Sequence, residues 1–281
     1  MNTAEALKRS QASLKLPSLP KVVLKLNRMI SDPDISVMEV GIVLAEDPEL
    51  STRVLRIANS ALFGLPSPVL DPRHAASILG LDRLHTIILQ AASGSALGGL
   101  SKGNDPLREN HWRHSVLVAH IARNLGQAAK NPGLMPPEEL HMAGLLHDAG
   151  KAVYFTCMRE QYETALDGRE LHDKELLDVE RAAFGMHHGQ VGAKLVLSWA
   201  LPRPLAQTIA FHHEPWKVAK AIPSALLIAT ADRLAHAVAK NDLEGMPHVA
   251  DRKTLYTLGL GVGTILSVAT QAIRDWKQIE L

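Results

Sequence analysis

The stretch His141-Met142-Ala143-Gly144-Leu145-Leu146-His147-Asp148-Ala149-Gly150-Lys151 sets an imidazole and a carboxylate side by side inside an apolar run. Two adjacent polar residues are expensive to bury unless something satisfies them. A neutral imidazole and a carboxylate are donors that a divalent first-row metal takes. The same pair could instead be hydrogen-bonded to each other and simply hold two helices together. Leu140 and Leu145 mark the apolar side of a helical pattern, which places His147 and Asp148 near the end of a buried helix. Gly150 then reads as a residue tolerant of positive φ where that helix ends or bends.

Other residues of the same chemical type follow the same logic. Fourteen histidines occur, and ten of them fall between His111 and His213. His114 shares a helix side with Leu117, Val118 and Ile121. His188 opens a helix, whereas His212 and His213 end another. Asp232 stands in the otherwise apolar helix Ala225 to Leu234, where a carboxylate is costly unless paired or bound to a metal. Each has an ordinary alternative. His114 could be a satisfied core histidine; His187, His188, His212 and His213 could be exposed helix-end residues favoured by the macrodipole. Asp232 could pair with His236 one turn on, or with Arg233. One shared explanation covers them all: several helices each point a ligand-type residue inward, as in a bundle that builds a metal centre. His74, His85, His111, His120, His141, His172, His187, His236 and His248 read as structural or surface histidines.

The elements that must position these residues are helices. Leu16-Pro17-Ser18-Leu19-Pro20 is an extended lead-in, because each proline disfavours helix in the residue before it. Helical spacing follows at Val22, Val23, Leu26, Met29 and Ile30. Ser36 with Glu39 makes a capping box, and Asp47-Pro48 opens the next helix. Asp105-Pro106 opens a long helix running to about Ala129, and Ser224 caps a later one. Few strand signals occur, so the expected class is all-α, a two-lobed helical bundle of about a dozen helices. The Gly- and Ser-rich segment Ser93 to Asp105 divides it into residues 1–104, a helical lobe, and residues 105–281, a second helical lobe with a C-terminal extension.

Composition narrows the function classes. The chain of 281 residues can bury a sizeable core, and 46% apolar with only 4% aromatic residues suits helix packing. Thirty basic against 29 acidic residues leave +1, which argues against nucleic-acid binding. The single cysteine, Cys157, excludes a disulfide framework and reads as a small buried hydrophobe. Met1 to Ser18 has no apolar core segment, and the uncharged stretch Leu255 to Ile273 carries three glycines and reads as a buried terminal helix. The expectation is a soluble cytoplasmic protein that spans no membrane.

The order His114, His147-Asp148-Ala149-Gly150-Lys151, His188, His212-His213 and Asp232 resembles the HD superfamily of metal-dependent phosphohydrolases. Its layout is similar to the HD-GYP branch, which hydrolyses cyclic di-GMP. Leu16-Pro17-Ser18-Leu19-Pro20, Asp47-Pro48-Glu49-Leu50, Leu55-Arg56-Ile57-Ala58-Asn59-Ser60-Ala61 and Ile78-Leu79-Gly80 resemble the HDOD domain, the HD-related output domain of bacterial signalling proteins. Gly144 to Asp148, Trp199-Ala200-Leu201-Pro202 and His212-His213 continue that pattern. The resemblance implies an HD-like C-terminal lobe and a regulatory module that acts through a signalling partner or a small phosphorylated ligand. The Asp47 to Ala61 region and the Gly64 to Pro68 loop are candidate contact surfaces. No receiver, kinase or DNA-binding segment is recognised, so input or output is expected from a partner.

The same resemblance implies a ligand set for one or two divalent ions of iron, manganese or zinc. His114, His147, Asp148 and Asp232 would hold one, with Asp148 bridging to a second held by His188, His212 and His213. HDOD domains often lose such ligands, whereas this chain keeps the set and Lys151. The second implied reading is therefore a phosphohydrolase of phosphomonoesters or phosphodiesters, nucleotides included, with Asp148 and Lys151 as its catalytic pair. His212-His213-Glu214 is followed by Pro215-Trp216-Lys217 and no Gly-Tyr-Pro signature, which argues against cyclic di-GMP hydrolysis.

Overall fold

A computed structural model describes residues 16–30, 32–60, 63, 65–96, 106–169, 173–216, 222–242 and 244–279. The expected lobe boundary at 104/105, the Asp105 cap, His172 and Lys217 lie outside the described residues. Those residues form fourteen α-helices and a short 3-10 turn, Met246–His248, with no strand among them. The chain divides into two compact units.

The smaller unit comprises Ser18–Gly99 with Trp199–Leu201. Its helices are α1 (Lys21–Ile30), α2 (Val37–Leu44), α3 (Pro48–Ala58) and α4 (Pro72–Ala96). Ser36 and Glu39 form the expected capping box at the start of α2. The Asp47 carboxylate accepts the Glu49 and Leu50 N–H groups, each at 3.0 Å, ahead of Pro48 in α3. α4 is kinked at Gly80, whose φ of 75° lies in the left-handed region that glycine alone enters freely. Leu26, Val40, Leu44, Val54, Leu84 and Ile88 are buried as the core. The Asn27 side chain ties in the distant segment: it donates to the Trp199 carbonyl at 3.2 Å, and its Oδ1 meets His85 Nε2 at 2.7 Å.

The larger unit carries α5 (Pro106–Ala128), α6 (Pro137–Leu146), α7 (Ala149–Cys157), α8 (Arg159–Leu166), α9 (Asp173–Phe184), α10 (His188–Ser198), α11 (Arg203–Phe211), α12 (Pro223–Ala239), α13 (Arg252–Leu258) and α14 (Val262–Ile279). α5 packs on α6 and α12, and α10 packs on α7 and α11. Two glycines set the closest approaches. A Cβ on Gly144 would come within 2.7 Å of the Ala119 backbone, and one on Gly150 would run into the His188 carbonyl.

Gly150 therefore differs from its sequence expectation. It lies inside α7, outside the positive-φ residues, and its missing side chain lets α7 and α10 touch. Ser224 does not cap α12; its hydroxyl accepts the Met135 N–H at 3.0 Å, tying down the loop before α6. Cys157 is exposed at the end of α7 instead of buried. The uncharged C-terminal stretch is two helices, α13 and α14, broken at the left-handed Gly259. Over residues 262–274 of α14, Ile265, Val268, Ala269 and Ala272 are buried, while Val262 and Leu266 are exposed. No single helix among the described residues is long and apolar enough to cross a membrane; α13 and α14 reach that test only together, across an 84° bend.

Candidate metal centre

Each helix of the larger unit delivers its polar residue at a position the local sequence dictates. α6 ends at Leu146, so His147 is its C-cap and Asp148 the residue before α7. His147 Nδ1 donates to the Gly144 carbonyl at 2.7 Å, an orphan acceptor of the last helical turn. His212 repeats the device at the end of α11, donating from Nδ1 to the Ile209 carbonyl at 2.7 Å. In the His212 ring the remaining nitrogen, Nε2, is thereby the one with the lone pair. His188 starts α10; its Nδ1 and its backbone N–H both reach Glu180 Oε2 at 2.7 Å. The Tyr162 hydroxyl donates to the other Glu180 oxygen at 2.7 Å. Glu180 is buried and holds the His188 ring, as a carboxylate behind a metal-ligating histidine does.

The free faces of these rings converge. His147 Nε2 is 3.4 Å from Asp148 Oδ2, and His188 Nε2 is 3.2 Å from Asp148 Oδ1. His212 Nε2 is 3.8 Å from the same Oδ1, and His213 Nε2 is 3.0 Å from His188 Nε2. On the other side, His114 Nε2 meets Asp232 Oδ1 at 2.9 Å, with His147 Nε2 at 3.7 Å from that oxygen. Among the described residues, His147 Nε2, His212 Nε2 and Asp148 Oδ1 are buried with no hydrogen-bond partner. Buried lone pairs without a donor are costly, and a cation satisfies all of them at once. The donors group as Asp148 with His188, His212 and His213, and as His114 with His147 and Asp148. These clusters can coordinate a metal ion, and the donor set fits iron, manganese or zinc alike.

Charge points the same way. Burial works against the Asp148 carboxylate, but His147 and Lys151 outweigh it and hold it well below the ordinary carboxylate range. Asp232 is likewise held well below, against burial, by its bond from His114 and by His147. Burial, then Lys151, pushes His188 well below the usual imidazole value; burial, then His213, does the same for His212. At His147 burial is outweighed by Asp148 and Asp232, which raise it. Ionised carboxylates facing the neutral imidazoles of His188 and His212 make a centre short of positive charge. Lys151 Nζ, 2.7 Å from Asp148 Oδ2, supplies part of it.

All eight sequence-expected residues meet in this one place: His114, His147, Asp148, Lys151, His188, His212, His213 and Asp232. Two more that the sequence reading left out join them. Glu180 stands in a polar helix whose pattern marks it as surface. His236, read there as structural or as a mere partner of Asp232, brings Nε2 to 3.4 Å from Asp232 Oδ1. Its spacing of four from Asp232 on α12 was the signal available.

A cavity of about 560 Å³ opens on the cluster, lined there by Lys151, His213, Asp232 and His236. Arg169, Arg233 and Lys240 add three further basic side chains to its wall, with Phe155 and Leu176 among its apolar parts.

An all-helical unit with a histidine and aspartate centre between its helices defines an HD-like domain. Residues 16–215 match the HDOD domain, and the chain belongs to that family within the HD-like superfamily. An uncharacterised protein of Treponema pallidum (strain Nichols) is 28% identical over 200 residues, 70% of this chain and 37% of that protein. The chain thus spans little more than a third of that relative's length. Among solved structures, an HDOD domain protein of unknown function from Geobacter sulfurreducens has a TM-score of 0.74 at 24% identity, covering 99% of this chain and 97% of that one. A candidate phosphohydrolase from Shewanella amazonensis SB2B has a TM-score of 0.72 at 24% identity, with coverages of 99% and 97%. A candidate signal transduction protein from Marinobacter aquaeolei VT8 has a TM-score of 0.76 at 19% identity, covering 99% of this chain and 63% of that one. Asp232 and His236 lie beyond the family match.

Proposed function

We propose that this chain is a regulatory HDOD module whose larger unit holds one or two divalent transition-metal ions, and that it acts by engaging a partner protein or a small phosphorylated ligand. The observation that carries the reading is the set of buried, partnerless donor atoms at His147, Asp148 and His212, beside a cavity with basic walls. The cavity is of a size that takes a small ligand, and Lys151, Arg169, Arg233 and Lys240 suit an anionic one. On the smaller unit, Met38, Ile42 and Leu70 are exposed apolar residues that support a protein contact there. The test is metal content by mass spectrometry on protein purified without added metal, beside a His147→Ala variant. One or two ions per chain, lost in the variant, is the expected outcome. No bound metal, and none taken up from iron, manganese or zinc solutions, overturns the reading.

A second reading, phosphoester hydrolysis, is favoured by one specific observation. Asp148 turns Oδ1 toward His188 and His212 and Oδ2 toward His147 and Lys151, so a single carboxylate faces two donor sets. Metal ions bound there would polarise a phosphoryl oxygen and acidify water. The chain's own contribution would be Asp148, which orients the centre, and Lys151, a point cation able to turn from Asp148 to a phosphate oxygen. A screen of phosphomonoesters and phosphodiesters with metal-loaded protein separates the two readings. Turnover that is lost in Lys151→Ala supports hydrolysis, and no turnover of any substrate leaves the binding module.

A further inference from the structure

Three imidazole nitrogens point at one oxygen. Asp232 Oδ1 has His114 Nε2 at 2.9 Å, His236 Nε2 at 3.4 Å and His147 Nε2 at 3.7 Å. The His114 and His236 rings lie 4.5 Å apart and tilted by 33°, both aimed at the same carboxylate. Metal-to-donor bonds of about 2.1 Å place neighbouring donors about 3.0 Å apart in an octahedron and about 3.4 Å apart in a tetrahedron. The His114–Asp232 and His236–Asp232 separations, 2.9 and 3.4 Å, are compatible with such spacings.

We infer that His236 is a further ligand, on the cavity side of the centre, of the ion that His114 and Asp232 would hold. The inference rests on the metal-centre reading and extends it by one residue. Asp232 and His236 are one turn apart on α12, so a single helix face presents both. Both also line the 560 Å³ cavity, and the His236 side chain is 44% exposed there, whereas His147 and His188 are sealed. A cation at this position keeps coordination sites open toward the cavity, where an anionic ligand completes them. The sealed donors Asp148, His188 and His212 belong to the inner part of the centre and do not depend on His236.

Equilibrium dialysis against manganese and against zinc, with metal read by mass spectrometry, tests this in the full chain. Wild type, His236→Ala and His236→Glu are compared, with circular dichroism melts to establish that each variant folds. The expected result is that His236→Ala loses one ion per chain, or binds its weakest ion about tenfold or more weakly. The tighter ions stay unchanged. His236→Glu restores the lost ion, because a carboxylate serves as a ligand. If His236 were only a hydrogen-bond donor to Asp232, a glutamate would repel that carboxylate and restore nothing. Identical isotherms for wild type and His236→Ala overturn the inference while leaving the metal centre standing. A wild type that takes up no ion overturns both.

Discussion

Glu180 shows how a residue outside the expected ligand set can govern one of its members. Its carboxylate fixes the His188 tautomer by accepting at Oε2 from Nδ1, leaving Nε2 for the cluster. A negative partner also raises the basicity of the ring, so metal affinity depends on the charge as well as the bond. Glu180→Gln is expected to weaken metal binding about tenfold and Glu180→Leu up to about a hundredfold, read by metal titration on folded protein. Wild-type affinity in Glu180→Gln would sink the charge argument. A second residue outside the centre sets acid sensitivity. Burial, with His120 and Arg123 nearby, pushes the His141 imidazole down to about 3 from the ordinary 6.5. Its contribution to stability is complete above pH 6.5 and is lost as pH falls toward 3, because the unfolded chain binds the proton first. Denaturant melts should lose up to about 1.4 kcal/mol per pH unit for this group across that window. His141→Phe should flatten the slope; an unchanged slope would remove His141 as its source. The metal-type residues were legible because each is polar in an apolar run. Glu180, in the polar string Asp173-Lys174-Glu175-Leu176-Leu177-Asp178-Val179-Glu180, carries no such contrast, and only three-dimensional contact with His188 marks it.

At the scale of elements, the centre depends on helices packed more closely than side chains permit. α7 and α10 meet backbone to backbone at Gly150 and His188, and a Cβ on Gly192 would lie 3.3 Å from the Gly150 nitrogen. Gly150→Ala must push His188 away from Asp148. It is expected to cost about 1–3 kcal/mol of stability, as overpacking does, and to weaken metal binding with it. Gly263→Ala is the matched control. Its Cβ meets nothing within 4 Å at the start of α14, so the change should be neutral or stabilising by less than about 1 kcal/mol. Equal losses in the two variants, measured by urea unfolding, would refute the close-packing account. The same contrast explains what could be read beforehand. The Ser36 and Glu39 capping box is a local pattern, and it forms as written. Gly150 and Ser224 also looked local, yet both answer to distant partners, the His188 backbone and the Met135 N–H. A glycine's tolerance of positive φ and its lack of bulk look identical in a sequence, and only packing distinguishes them.

For the whole molecule, the all-helical class followed from helical periodicity and the absence of alternating runs. The return of Trp199–Leu201 to the smaller unit had no such signal, because it rests on Asn27 across 172 residues. That arrangement makes metal linkage uneven. Every donor of the candidate centre belongs to the larger unit, and the smaller unit contributes none of the clustered ligands found among the described residues. A ligand that binds only the folded form stabilises it by about 2.7 kcal/mol at a hundredfold excess over its Kd. Hydrogen exchange with and without a chelator reads where that free energy is felt. Metal should slow exchange in α5 to α7 and α10 to α12 by up to about a hundredfold, and leave α1 to α4 unchanged. Trp199–Leu201 is the informative exception. It is flanked in the chain by α10 and α11, which carry His188 and His212, yet it belongs to the smaller unit. Added protection confined to that segment and the Asn27 helix would identify it as the covalent route by which metal state reaches the second unit. Uniform protection across α1 to α4 would instead show the two units opening as one, and the separate treatment of their stabilities would fail.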